Sequence, residues 1–177
     1  MVENEKVHSC GLTSEQMLKL WELHTKYEFE DRSVEKTMTT MTEHPALRNV
    51  PTKSIANGIA GVKNFYQNSF VHQNPPDISV EVVSRTIGDV QIVEELVLSF
   101  THTQVMDWIL PGIPPTSKKV RVPFVVIVGF ENGKIGWEHI YWDQATVLHQ
   151  IGLLQKTEQT KNCFYGAEVA DGLVPQK

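Results

Sequence analysis

The spacing of apolar residues changes along this chain, and the changes divide it into a helical first half, a strand-forming second half and a polar tail. From Ser14 to about Asp31, Met17, Leu20, Trp21, His24 and Tyr27 recur at the period of one helical face. Thr13 precedes them as an N-cap, and Gln16 three residues on completes a capping box. Ser33 caps a short second helix that runs to about Met41. The stretch 42–53, punctuated by Pro45 and Pro51, reads as a loop. Gly58 and Gly61 open a third helix carrying Val62, Phe65, Tyr66 and Phe70. Asn74-Pro75-Pro76-Asp77 ends it, because proline cannot continue the hydrogen-bonded spiral.

Beyond Asp77 the period becomes two. Residues 78–87 form a strand, Gly88-Asp89 a turn, and Val90 to about Met106 a long strand. Leu110 to Ser117, with Pro111, Gly112, Pro114 and Pro115, is a rigid loop. Two further strands, 120–130 and 135–143, are joined through Glu131-Asn132-Gly133-Lys134. Asn-Gly accepts the positive φ angles that tight hairpins demand. Helices first, then a four-strand antiparallel meander, is an α+β arrangement. There is no βαβ alternation, no glycine-rich phosphate loop and no internal repeat. Residues 1–11 read as a loose leader, 12–154 as one domain, and 155–177 as a tail that packs over the outside or crosses to a partner subunit.

Composition narrows the function classes. With 177 residues, 41% of them hydrophobic and 21% charged, the chain suits one globular domain. A net charge of -5 argues against a nucleic-acid footprint, and Lys118-Lys119-Val120-Arg121 reads as a solvated loop. No stretch approaches the length of a membrane span. Residues 1–11 lack the basic start and apolar run of a signal peptide, and Cys10 and Cys163 form no motif, so the expected compartment is the cytoplasm. The histidines are scattered, with neither His-Glu-x-x-His nor paired cysteines, so neither a metal nor any other cofactor is expected.

The chemistry concentrates on the last strand. One of its faces carries Ile135, Trp137, His139, Tyr141 and Asp143; the other carries Gly136, Glu138, Ile140 and Trp142. Aromatic rings, a histidine and a carboxylate on one face suit a lined pocket. A parity error of one residue swaps the faces and brings Glu138, Ile140 and Trp142 inward instead. Asp143 is a candidate acid/base if an apolar pocket raises its pKa, and equally a cap for the helix that follows it. His102 extends an inward face made by Glu94, Leu96, Leu98 and Phe100. Asp107 and Trp108 are candidates for the pocket rim, and His24 and Tyr27 project from the apolar face of the first helix.

Phe130 through Gln144, with its Asn-Gly-Lys-Ile turn and Glu-His-x-Tyr-Trp-Asp-Gln run, resembles the closing hairpin of SnoaL-like polyketide cyclases, within the NTF2-like superfamily. The likeness extends to Asp107–Gly112 and to Gln150–Leu154. Pro115-Thr116-Ser117-Lys118 departs from what looks like a Pro-Thr-Gly-Lys consensus. The resemblance implies a cone in which the helices cover a strongly curved antiparallel sheet. It also implies a cofactor-free enzyme acting on a small, apolar, carbonyl-bearing molecule, polyketide- or terpenoid-like. In that reading Asp143 is the acid/base, His102 and His139 assist, and Tyr141 donates to a developing oxyanion. Trp137, Tyr141, Trp108, Asp107, Phe100, His24 and Tyr27 then contact substrate. The other reading is a non-catalytic ligand-binding or dimerisation module. Both readings expect a homodimer and neither a nucleic acid nor a membrane partner.

Overall fold

The computed structural model describes residues 6–174. Helix α1 (Ser14–Phe29) starts with the capping box the sequence predicts: the Thr13 side chain accepts from Gln16 N, and Gln16 Oε1 accepts from Thr13 N at 2.9 Å. Its buried face is Met17, Trp21, His24 and Glu28. Ser33 caps α2 (Val34–Thr39) by accepting from Lys36 N. Helix α3 (Gly58–Phe65) runs directly into a π-helical turn, Tyr66–Phe70.

The stretch 42–53, expected as loop, is mostly strand. It supplies β1 (Met41–Asn49), which turns back into the short β2 (Ser54–Asn57). Proline inside a sheet is confined to places where its missing N–H is not needed, bulges among them. Pro45 sits at such a place, because the β1 register slips between Met41 and Ala46. The remaining strands are β3 (Ser79–Ile87), β4 (Gln91–Thr101), β5 (Lys119–Glu131) and β6 (Lys134–Trp142). They form the expected antiparallel meander. The whole is a six-stranded sheet ordered β2-β1-β6-β5-β4-β3, in which β1 lies parallel to β6 and makes the sheet mixed. The fold is α+β, with α1 and α3 packed on one face of an open sheet.

Strand β4 stops at Thr101 and not near Met106, because His102 turns to pair with the loop: its N–H donates to Lys118 O, and its carbonyl accepts from Thr116 N and Ser117 N. Ser117 carries φ +56, a left-handed conformation that favours glycine. In the β5–β6 hairpin, Asn132 and Gly133 both have positive φ, as the tight turn requires. Helix α4 (Gln144–Gln150) follows β6, and the tail carries the short α5 (Glu168–Asp171). That helix docks against β5, where Arg121 Nε donates to Asp171 Oδ1 at 2.8 Å. Among the described residues no helix is long and apolar enough to cross a membrane.

The β5–β6 register shifts between Gly129 and Phe130, and the Trp137 indole lies across Gly129. A Cβ at position 129 would fall 2.1 Å from Trp137 Cε2. Gly129→Ala is therefore expected to lower stability by about 1–3 kcal/mol, the usual cost of overpacking. Adding Trp137→Ala should return most of that loss. Urea unfolding of the single and double variants checks both outcomes.

Candidate functional site

Between the helices and the sheet lies a cavity of about 500 Å³. Its walls are largely aromatic and aliphatic: Phe29, Phe65, Phe70, Trp108, Phe124 and Leu96 are among them. Val80 and Val82 of β3 line it while 37% and 48% exposed, and Glu22 and Lys26 of α1, with Glu30 just after it, line its other lip. The mouth therefore opens between α1 and β3. On the wall, buried Glu94 is paired with Arg85, whose Nη1 also reaches Glu22 Oε1 at 3.1 Å.

The polar groups gather where α1, the π-helical turn and β6 meet. His24 and Glu28 stand one turn apart on α1, Tyr66 opens the π turn, and Glu138 comes from the centre of β6. All four are buried, His24 and Tyr66 completely. Tyr66 donates its hydroxyl to Glu138 Oε1 at 2.8 Å. His24 Nε2 lies 3.2 Å from Glu28 Oε1, 3.3 Å from Glu138 Oε1 and 3.2 Å from the Tyr66 hydroxyl. At the other end of the ring, Nδ1 is 2.6 Å from Thr40 Oγ1. The Thr40 hydroxyl donates to Thr37 O, so its oxygen accepts from His24. Nδ1 thus carries a proton and Nε2 is the nitrogen presented to the carboxylates.

The electrostatics follow from burial. Burial is the largest influence on His24 and would push it down, but the charges of Glu28 and Glu138 together outweigh it and lift the imidazole to about 10. Burial raises Glu28, and the attraction of His24 offsets this only in part. Tyr66 is held well above its ordinary value by burial and by the two carboxylates. The two carboxyl groups thus favour the imidazolium form of His24, and burial favours the protonated form of Glu28.

The residues named from sequence divide between this cavity and elsewhere. Trp108 lines the cavity, its Nε1–H donating to Asn74 Oδ1 at 3.1 Å. His24 holds the polar cluster from behind. The parity of β6 is the reverse of the first reading: Glu138 and Ile140 face the cavity, while Trp137, His139 and Tyr141 lie on the outer face of the sheet. His139 sits against Trp137 at 4.6 Å and pairs in register with Arg48; burial and then that cation lower its pKa. Asp143 is exposed and caps α4, accepting from Ala145 N at 2.9 Å, Thr146 N at 3.2 Å and the Thr146 hydroxyl at 2.7 Å. His102 is buried beyond the end of β4 with Nδ1 near Thr116 Oγ1 at 3.1 Å, and burial lowers its pKa. Asp107 closes a turn by accepting from Gly112 N and Gln73 Nε2. Phe100 is buried off the cavity wall, and Tyr27 lies beneath Lys36.

Glu28, Tyr66 and Glu138 were not singled out as site residues. The alternative parity of the last strand brings Glu138 inward, a glutamate one turn after His24 on an apolar helix face would have found Glu28, and no local signal marks Tyr66. His24, Glu28 and Glu138 also place ligand-type atoms within 4.8 Å of one another, a grouping that motif spacing does not reveal because it joins distant parts of the chain.

A sequence profile of the SnoaL-like polyketide cyclase family matches residues 22–151. No curated protein matches the sequence. Among solved structures, TsrD from Streptomyces laurentii superposes with a TM-score of 0.66 at 15% identity, covering 81% of this chain and 99% of its own. A candidate SnoaL-like polyketide cyclase from Jannaschia sp. CCS1 gives a TM-score of 0.65 at 15% identity, covering 88% and 100%. A candidate ketosteroid isomerase from Kribbella flavida gives 0.53 at 14% identity, covering 85% and 89%.

Because folding raises the affinity of His24 for its proton, that group contributes stability that is full below about pH 6.5 and is lost as pH climbs through about 10. Raised Glu28 acts in the same direction, since its ionisation costs more in the folded state. Thermal midpoints should fall from pH 6.5 toward pH 10. His24→Gln should flatten that slope and lower neutral-pH stability by about 3–5 kcal/mol, the cost of leaving a buried ion unpaired. Calorimetry across the pH series checks both.

Proposed function

The chain belongs to the SnoaL-like polyketide cyclase family, and from that premise we propose that it is an enzyme moving protons on a small, apolar, carbonyl-bearing molecule held in the cavity. The observation that carries this reading is the convergence of Glu28, Tyr66 and Glu138 on His24 at the base of an otherwise apolar cavity. Family and cavity together favour cyclisation, isomerisation or dehydration of a polyketide- or terpenoid-like substrate. The proton transfers draw on side chains alone.

Glu138 is the base in this scheme. It takes a proton from the carbon next to the substrate carbonyl, and the carbonyl oxygen gains the charge. Tyr66 donates a hydrogen bond to that oxygen, and Glu28 supplies a proton as the acid. In an isomerisation the proton returns to a different carbon. In a cyclisation the enolate carbon attacks a second carbonyl and the alkoxide is protonated. In a dehydration the hydroxyl leaves as water. His24 has no place on the cavity wall; it is a positioning residue that fixes both carboxyl groups and sets which of them holds a proton. A non-catalytic module would have no need of titratable groups converging on the floor of the cavity.

The expected result is that wild-type protein exchanges the α-hydrogens of a panel of cyclic and polyketide-like ketones for deuterium, read by NMR. Glu138→Gln should slow exchange by about 10²- to 10⁴-fold, the usual worth of a positioned base. Asp143→Asn, which keeps a capping side chain, should leave it close to wild type. The opposite ranking of these two variants would overturn the assignment.

The same reading takes the protein to be a cytoplasmic homodimer. Cys10 and Cys163 are both free thiols, in keeping with a reducing compartment. Trp137, His139, exposed Tyr141 and exposed Val125 form an aromatic and apolar strip on the outer sheet face that a second copy would cover. Light scattering should give twice the chain mass, and Tyr141→Glu should shift it toward the monomer; a monomeric wild type would remove the dimer.

A further inference from the structure

The polar cluster at the base of the cavity has the donor set and spacing of a metal centre. His24 Nε2 is 3.2 Å from Glu28 Oε1, 3.3 Å from Glu138 Oε1 and 3.2 Å from the Tyr66 hydroxyl. Ligands arranged tetrahedrally at about 2.0 Å from a zinc ion stand about 3.3 Å from one another. The ligand atoms of His24, Glu28 and Glu138 all lie within 4.8 Å of each other, and all three residues are buried.

A second feature is independent of that spacing. Metal-binding histidines ordinarily donate the other ring N–H to an oxygen, which fixes the tautomer and aims the free nitrogen at the ion. His24 Nδ1 does this toward Thr40 Oγ1 at 2.6 Å, and the Thr40 hydroxyl is itself anchored by donating to Thr37 O. The ring is held from behind, and Nε2 faces the two carboxyl groups; an ion binding there displaces the proton of Nε2 and any proton on Glu28 to solvent. The ligands also stand on regular elements, α1 and β6, so their spacing does not depend on a loop.

We propose that His24, Glu28 and Glu138 form a binding site for a divalent transition metal, zinc foremost, with the fourth position filled by the Tyr66 oxygen or by an oxygen from the cavity. One imidazole and two carboxylates suit zinc better than calcium or magnesium, which take six or more oxygen ligands. Three protein ligands and one open position is the pattern of zinc sites that meet small molecules. Glu28, Tyr66 and Glu138 all line the cavity, so an ion reaches the site from the mouth between α1 and β3. The site goes beyond the proton-transfer reading and does not rest on it. A bound ion would occupy the atoms that reading uses and would therefore slow turnover.

Chelator-stripped protein titrated with zinc chloride by calorimetry, and with cobalt chloride by visible absorption, tests the proposal without any substrate. Wild type is expected to take up one equivalent of either ion, the cobalt form showing the intense visible bands of four-coordinate geometry. Glu138→Gln and Glu28→Gln, which preserve side-chain shape, should each weaken binding by about 100-fold or more. Thr40→Val, which removes only the ring anchor, should weaken it by about 10-fold or more. Glu95→Gln, a carboxylate on the outer face of the sheet, should leave it unchanged. Circular dichroism on each variant separates lost ligation from lost folding. Absence of a one-equivalent uptake by wild type overturns the site, as does a folded Glu138→Gln or Glu28→Gln that binds as tightly as wild type. Loss of ketone exchange in Glu138→Gln without any metal uptake would leave the proton-transfer reading standing and remove this one.

Discussion

An imidazole held between two buried carboxyl groups is the constraint around which this molecule is arranged. Each carboxylate taken out of water costs several kcal/mol unless a partner compensates it. His24 compensates both, and Tyr66 satisfies Glu138 from the side. The partners come from different parts of the chain. α1 supplies His24 and Glu28, the π-helical turn Tyr66, β6 Glu138, and the residue after α2 the Thr40 that fixes the ring. These elements can be joined correctly only when the cluster is closed, since every partial assembly leaves a buried charge or an unmet donor. The site is thus also a tie between the helical layer and the sheet.

The cavity holds two kinds of charge pair, and they differ in what they can do. Glu94 is neutralised by Arg85. A guanidinium does not give up its proton in a protein, so that pair is electrostatically quiet and serves to close one wall. An imidazolium does exchange its proton, so the cluster around His24 can redistribute protons among His24, Glu28 and Glu138 without moving a backbone atom. The surrounding rings of Phe65, Phe70, Trp108 and Phe124 give the cluster an apolar setting, which strengthens each interaction in it. Apolar walls and a titratable cluster belong together: the walls are what make its charges matter.

Local patterns in the sequence foretold local structure well. The Thr13 capping box, the Asn-Gly hairpin and the meander from β3 to β6 each follow from a few adjacent residues, and each is present. What the pattern did not carry depends on distant pairing. β1 looked like a loop because of Pro45, yet β6 accepts it in parallel across a register slip. The face of β6 was misjudged for a related reason. Trp137, His139 and Tyr141 form a conspicuous aromatic row, but the register shift at Gly129 and the pairing with β1 send that row outward, with the indole of Trp137 over the glycine. His24 was visible as a polar residue on an apolar helix face. Its partner Glu28 was hidden in plain view one turn later, because a lone glutamate there reads as solvated until a second buried group is known to meet it.

The run from Glu138 to Gln144 shows how little of a conspicuous motif needs to be chemistry. Glu138 points into the cavity; His139 and Tyr141 point out of the sheet. Trp142 turns inward and stacks on Phe124 at 5.1 Å, with Trp108 edge-on at 5.9 Å, closing one end of the cavity wall. Asp143 ends the strand by capping α4. Gln144 accepts from Trp142 Nε1 and donates to Ile109 O, which pins the approach to the proline-rich loop against the start of that helix. Two residues of the seven, Glu138 and Ile140, therefore face the cavity, and three others fix the strand end, the helix start and the loop. The junction these three residues build holds the β6 carboxylate in place. Reading each residue of the motif as catalytic would mistake the mounting for the group it mounts.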